Sequence, residues 1–212
     1  MPRAEQRTDP VAHHGEGPVW WDAWGGLRFV DMLAGDVLHL GADGRVTRTH
    51  VGGVAAALRP RVSGGAVVAT ERAFALAAHD DLSDLRVLPD VWGDSGIRFN
   101  DGGCDPDGRF WCGTMAYDEA PGAGAMYRLA TVATTDQDTS PYAVQRVWGD
   151  VTISNGLGFS PDGSRAYYND TPTRATEGAG RDLADRQREP LAGALFSLTP
   201  GVAGQPTLPF AG

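Results

Sequence analysis

The sequence predicts an all-β protein laid out as an antiparallel meander of blade-like units, and three observations carry that prediction. The 29 glycines and 14 prolines among 212 residues are spread along the chain, which divides it into many short elements. Short apolar runs alternate with turns rich in glycine and aspartate, the pattern of tight hairpins. A Pro-Asp-Gly turn leading into an aromatic strand occurs twice, at Pro106-Asp107-Gly108 and at Pro161-Asp162-Gly163. Recurring units of ~40–50 residues are the mark of propeller blades, each a four-stranded sheet.

The elements follow in order. Met1 to Pro10 is polar and reads as a disordered leader, with order expected from Val11. Val19-Trp20-Trp21 reads as a strand, Asp22 to Gly26 as a turn, and Leu27 to Asp31 as the return strand. Gly35-Asp36 turns the chain into Val37 to Leu40, and Gly41-Ala42-Asp43-Gly44 turns it into Arg45 to His50. Ala66 to Thr70 and Phe74 to Ala77 form a further pair, and Phe110 to Thr114 and Arg165 to Asn169 are the strands after the two Pro-Asp-Gly turns. From Arg174 the pattern stops, and Asp182 to Leu191 has the spacing of a short amphipathic helix. The expected organisation is therefore a leader over residues 1–10, blades over 11–173 and an off-pattern tail over 174–212.

The bulk properties exclude several function classes. A formal charge of -9 and a pI near 4.9 leave no basic stripe for nucleic acid. No apolar run reaches membrane-spanning length, and the first residues have no apolar signal region. The expectation is a soluble cytoplasmic protein with neither nucleic-acid nor membrane partners. Cys104 and Cys112 do not make a disulfide framework; flanking the Pro106–Arg109 turn they could pair, but in the expected cytoplasmic setting they are read as buried free thiols. His13 and His14 are neighbours on a strand, point to opposite faces and are given no metal role.

Three polar clusters interrupt the apolar pattern. In His14-Gly15-Glu16-Gly17-Pro18, Glu16 is either a solvated turn carboxylate or a group pointing into a central channel. In Arg98-Phe99-Asn100-Asp101-Gly102, alternation puts Arg98 and Asn100 on one face. That pair suits a polyhydroxylated ligand, and it equally suits an edge strand ending in a turn. In Ser154-Asn155-Gly156-Leu157, Asn155 reads as a turn residue or as an amide-oxygen donor to a hard cation.

These clusters, with Gly113-Thr114-Met115 between the second and third, occur in the order and contexts of the SMP-30/gluconolactonase/regucalcin family, which residues 11–173 resemble. The resemblance implies a six-bladed propeller, incomplete here at about four blades. It implies one divalent metal, calcium, zinc, manganese or magnesium, held by Glu16 and Asn155. It further implies a sugar lactone contacted by Arg98, Asn100 and, more weakly, Asp118, where family members often carry glutamate. The implied reaction is metal-dependent hydrolysis of a sugar lactone to the aldonic acid, with the metal as Lewis acid and an arginine stabilising developing charge.

The family pattern also contains a downstream aspartate that serves as metal ligand and general base. Asp170 does not match it, nor do Asp182 and Asp185. No catalytic base is assigned, and the chain resembles a C-terminally truncated or frameshifted family member. With Glu16 as sole carboxylate ligand, weak metal binding and low turnover are expected. The competing expectation is a non-catalytic metal- or sugar-binding propeller module.

Overall fold

The structure, a computed structural model, describes residues 4–134, 140–173, 196–197 and 205–212. Three four-stranded antiparallel sheets follow one another along the chain. The first holds β2 (Gly15–Trp21), β3 (Gly26–Asp31), β4 (Asp36–Gly41) and β5 (Val46–His50). The second holds β6 (Ala57–Pro60), β7 (Ala66–Ala69), β8 (Phe74–Ala77) and β9 (Arg86–Val87). The third holds β10 (Ile97–Cys104), β11 (Phe110–Ala116), β12 (Gly124–Thr131) and β13 (Tyr142–Val151). A pair, β14 (Ser154–Phe159) and β15 (Ala166–Asp170), opens a fourth blade. A two-residue pairing joins β1 (Glu5–Gln6), in the segment read as a leader, to β16 (Phe196–Ser197).

Within each blade the strands pair in sequence order. The first strands of successive blades, β2, β6, β10 and β14, lie side by side. This is propeller architecture, as the hairpin pattern predicts. The two Pro-Asp-Gly turns occupy one structural position, the hairpin between first and second strand, in the third and fourth blades. The reading of Asp182 to Leu191 as a helix lies outside the described residues.

The core lies between blades. The second blade is flanked on both sides, and its central strands, Ala-Val-Val-Ala and Phe-Ala-Leu-Ala, are buried at every position. A strand covered on both faces has no use for alternation, so its sequence reads as a continuous apolar run. Phe74 packs against Phe99 at 4.7 Å and Phe110 at 5.7 Å between ring centroids, which ties the second blade to the third. The last residues also join this core. Phe210 is fully buried, its N–H donates to the Pro60 carbonyl (2.8 Å), and its own carbonyl accepts from Val62 N–H (2.8 Å). Cys104 and Cys112 are buried free thiols; across β10 and β11 they face Phe110 and Gly102, not each other.

Candidate functional site

The three polar clusters share one backbone device. On β2 the pairing register with β3 breaks after Glu16 and resumes at Val19. On β10 it breaks between Phe99 and Asp101, leaving Asn100 as the extra residue. On β14 it breaks between Asn155 and Leu157, with Gly156 extra. A bulge bends its strand and re-aims side chains that the pleat would otherwise alternate. Gly17 (φ +55°) and Gly156 (φ +59°) follow Glu16 and Asn155 directly, and left-handed backbone there favours glycine. The flanking glycines visible in the sequence are thus part of the geometry that turns these side chains.

Two aspartates fix how the bulged strands begin. Asp31, at the end of β3, accepts from the N–H groups of His13 (3.0 Å) and His14 (2.8 Å). Asp170, at the equivalent end of β15, accepts from those of Thr152 (2.9 Å) and Ile153 (2.8 Å). Burial pushes the Asp31 carboxyl up, but those two N–H donors and Arg48 outweigh it and hold it below its ordinary value. Asp170, which the sequence offered no family role, is a backbone clamp for the strand carrying Asn155.

Arg98 and Asn100 meet on β10, although the register breaks at Asn100. The Arg98 Nη1 donates to Asn100 Oδ1 (2.8 Å) and to the Phe99 carbonyl (3.0 Å), and lies 3.1 Å from Met32 Sδ. Asn100 Nδ2 donates to the Ser154 carbonyl across to β14 (2.7 Å). Both residues are buried. Burial lowers the Arg98 pKa from its ordinary value, while Tyr117, Glu16, Cys112 and Glu119 work against that shift.

Glu16 and Asn155 keep donor oxygens with little competition. The Glu16 side chain is 36% exposed, with His14 Nε2 at 3.7 Å from Oε1. Asn155 Oδ1 accepts from the Gly156 N–H (3.1 Å), and its Nδ2 donates weakly to Thr171 Oγ1 (3.4 Å). A carboxylate and an amide oxygen are the donors a hard divalent cation takes, with water completing the shell. Among the described residues no cluster of three or more His, Cys, Asp and Glu side chains stands ready for a metal, so any such site relies on the amide. Asp118 is exposed on the turn after β11, where its Oδ1 accepts from the Ala120 N–H (3.1 Å). It follows Tyr117, whose ring lies 5.6 Å from the Arg98 guanidinium.

Two features escaped the sequence reading. Tyr117 Oη donates to Glu71 Oε1 (2.6 Å), joining the rims of the second and third blades. Asp101 links β10 to β14 through the Gly156 N–H (2.7 Å). Burial raises its pKa, Arg59 and the N–H groups of Gly156 and Gly102 oppose that, and Glu16 adds to it. In the sequence Asp101 sits in Asn-Asp-Gly, where a turn carboxylate is the ordinary reading; the neighbouring blade makes it a half-buried link between strands.

The chain matches the SMP-30/Gluconolactonase/LRE-like region over residues 14–193 and belongs to that family. It is 36% identical over 160 residues to a 6-deoxy-6-sulfogluconolactonase of Pseudomonas putida, covering 74% of this chain and 52% of that one. It is 33% identical over 178 residues to regucalcin of Sus scrofa, covering 81% of this chain and 56% of the relative. Among solved structures it resembles the calcium-binding protein regucalcin of Agrobacterium tumefaciens, with TM-score 0.67 and 28% identity, over 81% of this chain and 55% of that chain. The chain therefore spans about half the length of the curated relatives it matches.

Proposed function

We propose that this chain binds a divalent cation through Glu16 and Asn155 and a sugar lactone through Arg98, Asn100 and Asp118, as part of a lactone-hydrolysing site. The observation that carries the reading is the shared bulge. Three of the four inner strands, β2, β10 and β14, break register at or directly beside Glu16, Asn100 and Asn155. A lactone-named relative and the family membership favour the same substrate class. When bound, the cation supplies Lewis-acid polarisation of the lactone carbonyl. The protein's own part is to present Arg98 beside the reacting group, with Asn100 fixing the guanidinium by its amide oxygen.

The donor set limits what the chain does alone. Glu16 is the one carboxylate ligand proposed, and ligand charge sets cation affinity. Weak cation binding and slow turnover follow, and a purely binding role is the second reading, favoured by the absence of any sequence match for the family's downstream aspartate. Hydrolysis of a panel of sugar lactones, with and without calcium, zinc, manganese or magnesium, separates the two. Cation-dependent turnover lost in Glu16→Gln and Arg98→Ala supports the hydrolase. Cation binding by calorimetry with no turnover supports the binding module, and neither binding nor turnover rejects both.

A further inference from the structure

The Gly156 N–H has two acceptors. Asp101 Oδ2 lies at 2.7 Å and Asn155 Oδ1 at 3.1 Å. The carboxylate is the shorter and stronger partner, because charge-assisted hydrogen bonds exceed neutral ones. Without it the N–H would fall wholly to the Asn155 amide oxygen, the atom a hard cation needs. Asp101 is itself held from its other side, its Oδ1 accepting from the Gly102 N–H (2.8 Å). The Gly102 carbonyl in turn accepts from Arg59 Nη2 (2.6 Å).

A structural role alone explains this poorly. An asparagine could accept the same N–H without burying a charge. The carboxylate is instead half-buried with Arg59 near it and feels the unfavourable field of Glu16. Like charges that feel one another cost free energy unless a cation relieves them. A cation between Glu16 and Asn155 provides that relief.

We propose that Asp101 is the positioning residue of the cation site: it draws the Gly156 N–H off the Asn155 amide oxygen and places a second negative charge behind the ligands. The inference rests on the Glu16–Asn155 reading and deepens it. It gives the site a carboxylate from β10 in the outer sphere, and it assigns this carboxylate no direct bond to the cation. Residues that orient ligands in this way change metal affinity by ~10–100-fold when replaced.

The test is calorimetric titration of calcium and of manganese into the full chain and into Asp101→Asn, Asp101→Ala and Glu16→Gln. Metal-free melting temperatures are recorded in parallel. Asp101→Asn keeps an acceptor for Gly156 and removes the charge; Asp101→Ala removes both. The expected result is an affinity loss of ~10-fold or more in Asp101→Asn and a larger loss in Asp101→Ala, with the metal-free Asp101→Asn protein melting close to the parent. If either variant fails to fold, the Gly156 amide resonance of the parent decides: the proposal expects it shifted downfield and moved further by cation. A resonance indifferent to cation overturns the proposal. So does an affinity of Asp101→Asn within about twofold of the parent while Glu16→Gln loses binding, and in that case the cation site itself stands. A parent chain that binds neither cation overturns both.

Discussion

The inner strands of the second and third blades are neighbours with opposite characters. β6 pairs with β7 residue for residue, without a register break, and its blade carries only apolar residues on the two central strands. β10 breaks register at Asn100 and buries Arg98 and Asn100 among polar partners. The same contrast separates β6 from β2 and β14, which also bulge. Regular pairing keeps the pleat's alternation and makes core; a bulge spends a ladder position to re-aim a side chain. In this protein the regular central strands of the second blade carry core alone, whereas the bulged strands carry the polar site residues beside core residues such as Phe99.

That division is breakable by substitution. The largest effect is expected from Phe74→Ala in the regular blade. Phe74 is fully buried against Phe99 and Phe110, and truncating such a residue costs about 3–5 kcal/mol. Denaturant unfolding should register this loss while the folded fraction binds calcium as before; altered affinity in the folded fraction would mean that the blades are not separable. Asn100→Ala comes next, because it removes the amide donor to the Ser154 carbonyl and one of the acceptors of Arg98 Nη1. About 2–3 kcal/mol of stability should disappear, together with any lactone binding, and the two are read by unfolding and by ligand titration on one preparation.

Smaller effects sharpen the comparison. Gly17→Ala and Gly156→Ala place a side chain at positive φ, at about 1–2 kcal/mol each. Both should weaken cation binding by more than their stability loss implies, because they act on the bulge itself. Equal losses of stability with unchanged affinity would show that the bulges are structural only. The smallest effect concerns pH. Because the folded Asp31 carboxyl titrates below its ordinary value, its contribution is present above the unfolded pKa and is lost as pH falls through the folded one. Unfolding measured from about pH 6 downward should therefore show stability falling in the acid range, and Asp31→Asn should flatten that dependence. A variant as acid-sensitive as the parent would assign the effect elsewhere, Asp36 first, since Arg48 and His50 bind it and its pKa is lowered as well.

Much of the architecture was legible because it is local. Asp-Gly and Pro-Asp-Gly turns, period-two runs and the Phe74–Ala77 strand, whose bounds match the reading to the residue, all follow from neighbours in the chain. The nearness of Arg98 and Asn100 was legible from their spacing, but Asn100 is the extra residue of a bulge, so their contact does not rest on alternation alone. Other features were hidden because their causes are distant in sequence. Asp31 and Asp170 look like strand-end aspartates until the backbone they clamp, 17 or 18 residues earlier, is brought beside them. Phe210 lies in a segment read as off-pattern, and burial against Pro60 and Val62 depends on a partner about 150 residues away.

By itself the sequence determined the all-β meander, the blade repeat and the polar clusters around Glu16, Arg98 and Asn155, because turn chemistry and strand period act over a few residues. The tertiary structure alone decided that those clusters sit on bulges, that Asn100 bonds across to the next blade, and that Asp101 accepts from the Gly156 N–H of that blade. Each of these depends on two blades meeting, and the environment of a carboxylate, its burial and its partners, is set by what the fold packs around it.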